Sequence, residues 1–358
     1  MEGIAPMNES LTTTDPERTF EFEFVRATEN AALNVLPWLG RGRKEDADAA
    51  ACDAIQGVFD LVDICAEVVI GEGIKDNAPG LFVGDRLGTW KEGTPHFDVA
   101  LDPIDGTSNL ANGLPNSISV MAASERPADS PRAMRNIPSF YSKKLAYGPE
   151  VVKAIAGGLP AISLDDSFES ILRRVAEGLG KRVREVVVVM LNRPRNAAFI
   201  EETRRVGSAL RLIGDGDITA AIAPSLLDSG VDLYFGIGGS PEGVLTAAAL
   251  KALGGEMFLQ MWPRDDAERA SLLNEVSRED LERIWCAGDL VQGESSLFCA
   301  TGISDSSLLP GVRLTGHKAI TYSILMRARS RTVRYVRAVH DLEFKTIHLR
   351  SVHGDRKL

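Results

Sequence analysis

Residues 98–109 read Asp-Val-Ala-Leu-Asp-Pro-Ile-Asp-Gly-Thr-Ser-Asn, an apolar strand that meets a proline and turns straight into a helix start. The turn carries Asp102 and Asp105, followed by Gly106 and Thr107. Two carboxylates fixed in one turn make a hard-oxygen site, suited to Mg²⁺ or Mn²⁺ rather than to zinc. The amides that follow, at a helix N-terminus, suit an oxyanion such as phosphate. Metal and phosphate side by side indicate phosphoryl chemistry. Two more acids fall where a strand ends or a helix begins: Asp48, in the first turn of a helix over 47–62, and Glu72, between Gly71 and Gly73. In open α/β sheets such positions line one crevice at the carboxyl ends of the strands. Singly, each has a plain structural reading: Asp48 as a helix-dipole partner, Glu72 as a solvated turn residue, Asp102 as a turn starter before Pro103. Jointly, a Gly-Glu-Gly loop and an Asp-Pro-Ile-Asp-Gly-Thr turn form a pattern with a mechanical use for every part.

The elements that must position these groups follow from periodicity. Apolar residues at helical spacing predict a helix over 21–39, ended by the Gly40-Arg41-Gly42 loop, and Ala66–Ile70 reads as a buried strand. A strand over 81–83, an alternating strand over 117–123, a loop over 126–136 and a strand-and-turn passage over 137–163 follow. From residue 164 strands alternate with helices, as in an α/β layer: helix 168–179, strand 186–191, helix 198–206, strand 209–213 and a helix to 223. A strand over 231–235 then runs into the Gly236–Gly243 loop and a helix over 244–253, and a hairpin spans 320–326 and 332–339. The basic stretch after Phe344 reads as a poorly ordered tail, and residues 1–18 as a disordered N-terminal one. The expected division is a metal-binding domain over 19–163 and an α/β substrate-binding domain over 164–344.

Bulk properties bound the partners. The chain of 358 residues is long enough for two ordinary domains, and 44% apolar with 25% charged residues is normal for a globular protein. A net charge of −10 argues against general affinity for nucleic acid or anionic membrane. The four cysteines (52, 65, 286 and 299) lack any Cys-x-x-Cys spacing and suit a reducing compartment. The longest aliphatic run, Val186 to Leu191, is six residues, a buried strand and not a membrane span. With no apolar leader at the N-terminus, the expected location is cytoplasmic. The five histidines (96, 317, 340, 348 and 353) show no metal-ligand spacing.

Asp-Pro-Ile-Asp-Gly-Thr is similar to the metal-binding signature of the lithium-sensitive sugar and inositol phosphatase superfamily. Further segments narrow the likeness: Trp38-Leu39-Gly40-Arg41-Gly42, Val69–Gly73, Ala78-Pro79, Phe140–Leu145, Arg193-Pro194-Arg195, Asp215-Gly216-Asp217 and Gly236–Gly243. Together, from about residue 20 to about 340, they resemble the class II fructose-1,6-bisphosphatases. The resemblance implies a two-domain α-β-α-β-α layered sandwich with the site at the domain junction, and a homo-oligomer.

It implies metal ligands at Asp48, Glu72, Asp102 and Asp105; some members carry glutamate at the last position. Thr107 would orient the attacking water, Asp76 would share its proton, and Lys44 would neutralise phosphate charge. Gly106, Thr107, Tyr141, Arg193, Arg195, Asn196, Asp215, Gly216, Asp217, Gly239 and Glu242 would hold the sugar phosphate, with Glu242 either a helix-start residue or a further member of the active site. The implied reaction is removal of the 1-phosphate of fructose 1,6-bisphosphate with two or more Mg²⁺ or Mn²⁺ ions. Departures bear on the sugar: Asn196 replaces a usual histidine, residues 75–80 differ beside the metal loop, and an extra stretch, 94–96, leads to Phe97. They keep open sedoheptulose 1,7-bisphosphate, another heptose phosphate or an inositol phosphate as substrate. A sugar-phosphate-binding regulator without turnover is the third alternative.

Overall fold

The structure, a computed structural model, describes residues 15–71, 80–127, 129–293 and 295–357. The expected site residues Glu72 and Asp76, and most of the expected N-terminal tail, lie outside the described residues.

The chain begins with α1 (Pro16–Asn34) and α2 (Lys44–Phe59), then β1 (Cys65–Ile70), β2 (Arg86–Leu87), β3 (His96–Asp105), α3 (Thr107–Ala111) and β4 (Ile118–Arg126). Next come β5 (Tyr141–Tyr147), α4 (Pro149–Ala156), α5 (Phe168–Gly178), β6 (Val187–Leu191), α6 (Ala197–Val206), β7 (Ala209–Ile213), α7 (Asp217–Ile222), β8 (Leu233–Gly239) and α8 (Ser240–Leu253). The remainder is β9 (Glu256–Met261), α9 (Asp266–Glu275), α10 (Arg278–Glu282), β10 (Ile284–Cys286), α11 (Ala287–Leu290), β11 (Leu297–Gly302), β12 (Arg313–Thr315), β13 (Lys318–Arg327), β14 (Thr332–Asp341), β15 (Thr346–Leu349) and β16 (Gly354–Lys357).

Two sheets are sandwiched among three helical layers. The first has the order β12-β13-β11-β4-β3-β1-β2, with β14 on the free side of β13; the second has the order β10-β9-β5-β8-β6-β7. Strand alternation assigns each face. Val99 and Leu101 of β3 and Met121 and Ala123 of β4 pack with α1 and α2, whereas Ala100, Val120 and Ala122 point the other way, toward α7, α8 and α11. In the second sheet Ala146, Val189 and Tyr234 meet that same middle layer, while Leu145, Val188 and Phe235 pack on α4, α5 and α6. Helix α8 is buried nearly all round because it lies between two sheets, which is why its sequence is an Ala-rich apolar run without a polar face. The layered α/β architecture expected from the resemblance is the one observed.

Several boundaries differ from the sequence reading, each for a local reason. The first helix starts at Pro16, not Glu21, because Asp15 accepts a bond from Arg18 N (3.1 Å) and Pro16 fits the first turn. Helix α2 starts at Lys44, so Asp48 sits in its second turn. β3 does not stop at Pro103; it continues to Asp105, with a register break against β4 between Asp102 and Asp105 that accommodates the missing donor. The second strand near residue 81 falls instead at Arg86–Leu87. The passage 137–163 contains β5 and also α4, and the glycine run 236–239 is strand, paired with Tyr141–Lys144. A division of the chain at residue 163 does not separate the sheets: β5 belongs to the second, and β11 to β14 return to the first.

The expectation of a poorly ordered tail after Phe344 is corrected. β15 and β16 form a hairpin against α2, with Ile347 and Leu349 buried beside Leu33, Ala54 and Ala319. Arg350 Nε donates to both oxygens of Asp60 (3.1 and 3.0 Å), and Ser351 N donates to Asp53 (2.8 Å). A basic composition concealed two apolar residues at alternate positions and the bonds of Arg350 to Asp60, just past α2, and of Ser351 to Asp53 on α2.

Candidate active site

The site lies where the end of β3 meets α2 on one side and the start of α7 on the other. Gly106 makes the turn possible: its φ is +89°, and a Cβ there would stand 2.3 Å from Asn116 O. That turn brings Thr107 Oγ1 to 3.5 Å from Asp48 Oδ1 while its hydroxyl donates to Ile104 O (2.9 Å). Asp102 Oδ1 accepts from Ile104 N (3.0 Å), which fixes the carboxylate in its turn. Lys44 Nζ donates to Ser108 Oγ (2.8 Å) from the first turn of α2. Asp48, Lys44, Asp102, Asp105 and Thr107 thus come from three elements into one neighbourhood.

Asp105 is 4% exposed and accepts a hydrogen bond from Ile218 N at 3.3 Å. Its pKa is pushed well above the ordinary carboxylate value, first by burial and then by the charges of Asp102, Asp217, Glu242 and Asp215. Such crowding is what a hard divalent cation relieves, and an all-carboxylate donor set is what one prefers. The donor chemistry therefore suits a hard divalent cation. Among the described residues no three acids close into a formed coordination cluster, and Glu72, an expected ligand, is outside them.

The Asp215-Gly216-Asp217 turn is held from across the sheet boundary. Asn116 Nδ2 donates to Asp215 O (2.6 Å) and Gly216 O (2.7 Å), Asn109 Nδ2 to Asp215 O (3.2 Å), and Ser108 N to Asp215 Oδ2 (3.2 Å). The Ser108 amide, next to the Gly106 and Thr107 amides expected to receive phosphate, is thus already bonded to a carboxylate, and α3 is a short helix of five residues. Arg193 lies 3.4 Å from Asp215 Oδ1, and the Arg195 guanidinium stacks 4.0 Å over the Tyr141 ring while its Nε donates to Ile237 O (2.9 Å). These residues line the open side of the turn.

Two expected sugar contacts are placed elsewhere. Asn196 is fully buried: its Nδ2 donates to Leu191 O and Ile237 O, and its Oδ1 accepts from Ile237 N (2.7 Å). It is a bracket between β6 and β8, with no face toward a ligand. Asp217 is 4% exposed, and its Oδ2 accepts from Lys144 Nζ (2.6 Å) and Tyr234 OH (2.7 Å). Glu242, in the first turn of α8, is buried beside it, its Oε2 without a hydrogen bond among the described residues; burial and Asp217 raise its pKa while Lys144 opposes them. Gly238 and Gly239 are glycines because Cβ atoms there would lie 2.0 Å from Asp217 Oδ2 and from Glu242 Oε2. The glycine run therefore admits carboxylates instead of cradling an anion.

The sequence reading missed Lys144, Tyr234, Asn109 and Asn116 as site builders. Lys144 was findable: it shares strand parity with Ala146, whose side chain faces the middle layer.

Comparison with known proteins decides the family. The family described as bacterial fructose-1,6-bisphosphatase, glpX-encoded, matches residues 18–340. This chain belongs to that family. It is 38% identical over 338 residues to the fructose-1,6-bisphosphatase class 2 of Haemophilus influenzae, covering 91% of this chain and 97% of that one. It is 36% identical over 339 residues to fructose-1,6-bisphosphatase 1 class 2 of Escherichia coli K12, covering 92% and 97%. An extragenic suppressor protein of Pyrococcus furiosus aligns in structure over 57% of this chain and 70% of that one, at 14% identity and a TM-score of 0.29, too loose to carry an argument. Among the described residues, no helix is long and apolar enough to cross a membrane.

Proposed function

We propose that this family member hydrolyses the 1-phosphate of fructose 1,6-bisphosphate, giving fructose 6-phosphate and inorganic phosphate by in-line attack of water. Membership of the family supports the reaction class, and the meeting of Asp48, Lys44, Asp102 and Thr107 around the β3–α3 turn is the observation that supports the chemistry. Divalent ions, Mg²⁺ or Mn²⁺, held by Asp48, Glu72, Asp102 and Asp105 would neutralise the phosphate dianion and make water acidic enough to attack.

The protein's own groups then have separate tasks. Thr107 Oγ1, which lies between Ile104 O and Asp48, would orient the attacking water, and Asp76 would share its proton. Lys44 faces the start of the same turn through Ser108 and would take up phosphate charge without the directional demands of arginine. Gly106 and Thr107 supply backbone to the reacting phosphate. Arg193 and Arg195 offer planar forks to the second phosphate, and Tyr141 supports Arg195 by stacking. Asp215 accepts from sugar hydroxyls, Gly216 gives its turn the needed geometry, and Gly239 lets Glu242 approach.

Asn196 was the feature that favoured a heptose or inositol phosphate. Since it is a buried bracket, its difference from histidine changes the support of β8 and not the contact set. Phosphate release from fructose 1,6-bisphosphate, compared with sedoheptulose 1,7-bisphosphate, heptose phosphates and inositol 1-phosphate, tests the proposal, with Mg²⁺ and Mn²⁺ in turn. Asp102→Asn serves as the blank. Release that survives in Asp102→Asn, or that is confined to another sugar, overturns it.

A further inference from the structure

The C-terminal hairpin encloses a cleft that the reaction does not use. It opens between α1, the C-terminal end of α2 and the segment 345–355, with a volume of about 770 Å³, a size that admits a small metabolite. Its outer wall, from Lys345 onward, lies beyond the residues matched by the family. The wall is docked firmly: a Cβ at Gly57 would stand 2.0 Å from His348 O, and Arg350 and Ser351 are tied to Asp60 and Asp53.

Most charges around the cleft are already answered by neighbours. Glu23 lies 3.7 Å from Arg26, Asp63 is 2.7 Å from Lys91, and His348 Nδ1 is 2.9 Å from Asp355. Glu29 Oε1 accepts from Thr321 (3.2 Å) and Ser323 (3.3 Å). Two groups are left over. Asn30, on the cleft wall, is 4% exposed, and its amide oxygen has no hydrogen-bond partner among the described residues. Lys345 is half-buried with no carboxylate within 4.0 Å among them. Burial holds its amine below the ordinary value, and the charge of Glu29 only partly opposes this. A buried amide oxygen without a partner and a half-buried ammonium with no carboxylate in contact are both unfavourable unless a ligand supplies what they lack.

The surrounding charges define that ligand. Four acids (Glu23, Glu29, Asp63 and Asp355) outnumber the two cations Arg26 and Lys345, so a phosphate dianion would be repelled. A single negative group suits Lys345, and N–H donors suit the Asn30 carbonyl and Glu29. We propose that this cleft binds a small zwitterion carrying one carboxylate and one ammonium, the chemistry of a free amino acid. The active-site end of α2, with Lys44 and Asp48, lies about 20 Å of helix from the cleft, so the two sites do not overlap.

The test uses the full chain and isothermal titration, with the protein amino acids one at a time as probes and inorganic phosphate and methylamine as controls. The expected result is saturable one-to-one binding of at least one amino acid, not displaced by the sugar bisphosphate. Lys345→Met and Asn30→Ala should each weaken it about tenfold or more, and Lys153→Met, a change on the far helical layer, should leave it unchanged. Circular dichroism and the melting temperature confirm that each variant is folded, and Lys345→Gln replaces Lys345→Met if that variant is not. Absence of binding by every amino acid overturns the proposal. So does binding that persists in the folded Lys345 and Asn30 variants, or phosphate binding of equal strength.

Discussion

Lys144 is 1% exposed and holds together the least soluble part of the site, so Lys144→Met is a sharp test of how that site is built. Its Nζ donates to Asp217 Oδ2 at 2.6 Å and to Gly239 O at 3.0 Å, and its charge is the one that opposes the raised pKa of Glu242. Methionine preserves the stem and removes the charge. Breaking a buried pair from one side costs about 3–5 kcal/mol, because the remaining charge is stranded. Taking the middle of that range, and roughly 2 °C per kcal/mol for a large chain, the melting temperature should fall by about 8 °C. Asp217→Asn should also destabilise, but the double variant should lose at least 1 kcal/mol less than the sum of the two, since the second change removes the stranded charge. Urea unfolding of all four proteins, with and without Mg²⁺, gives the cycle. An additive cycle, or a loss under about 1 kcal/mol for Lys144→Met, refutes the reasoning and makes Lys144 a packing residue.

Three other perturbations probe separate parts of the molecule. Gly106→Ala forces a side chain into left-handed backbone, costing about 1–2 kcal/mol, and drives its Cβ toward Asn116 O; Thr107 should move, and kcat should fall by about tenfold or more, so a rate within twofold of wild type counts against the turn's role. Glu256 has its pKa raised above 4.5 mainly by burial, so its stabilising contribution is complete below that value and is lost as pH rises through the folded pKa. Glu256→Gln keeps an oxygen for Met257 N and Ala287 N, and its melting temperature should gain on wild type between about pH 4.5 and 7; a constant gap refutes this. Gly57→Val should lift the C-terminal hairpin off α2, seen as faster amide exchange at Ile347 and Leu349; unchanged protection there would show that the contact is not needed.

Much of the fold was legible because the signals were local. The strand over 209–213 and the hairpin around Ser330 follow from alternation, and the helix over 168–179 from an apolar stripe. What was misread depends on partners distant in sequence. Nothing near Gly236–Gly239 says that Asp217 and Glu242 press against it, so a strand looked like an anion loop. Nothing near Asn196 says that β8 offers Ile237 to its amide, so a bracket looked like a sugar contact. The tail failed for a compositional reason: its charge outweighed Ile347 and Leu349, although alternation with matched acids on and just past α2 was present. The acids of the candidate site were legible as a set because the turn at 102–107 holds two of them, with the glycine that makes the turn and the threonine beside it.

The acids at the centre are not equivalent, and the difference orders the site. Asp217 has a buried cation and a phenol on one oxygen, so its charge is compensated within the protein. Asp105 has a backbone amide at 3.3 Å and four other carboxylates acting against it, and Glu242 has an oxygen without a hydrogen bond among the described residues. An entering cation would gain most where compensation is least, on the Asp105 side and not at Asp217. The internal pair has a second consequence: it anchors the start of α7 and the end of β8, so the uncompensated acids rest on a frame whose own charges are already satisfied. Lys144 therefore acts on the chemistry only through the carboxylates that it does not fully neutralise, which is why its loss should register first in stability and only afterwards in turnover.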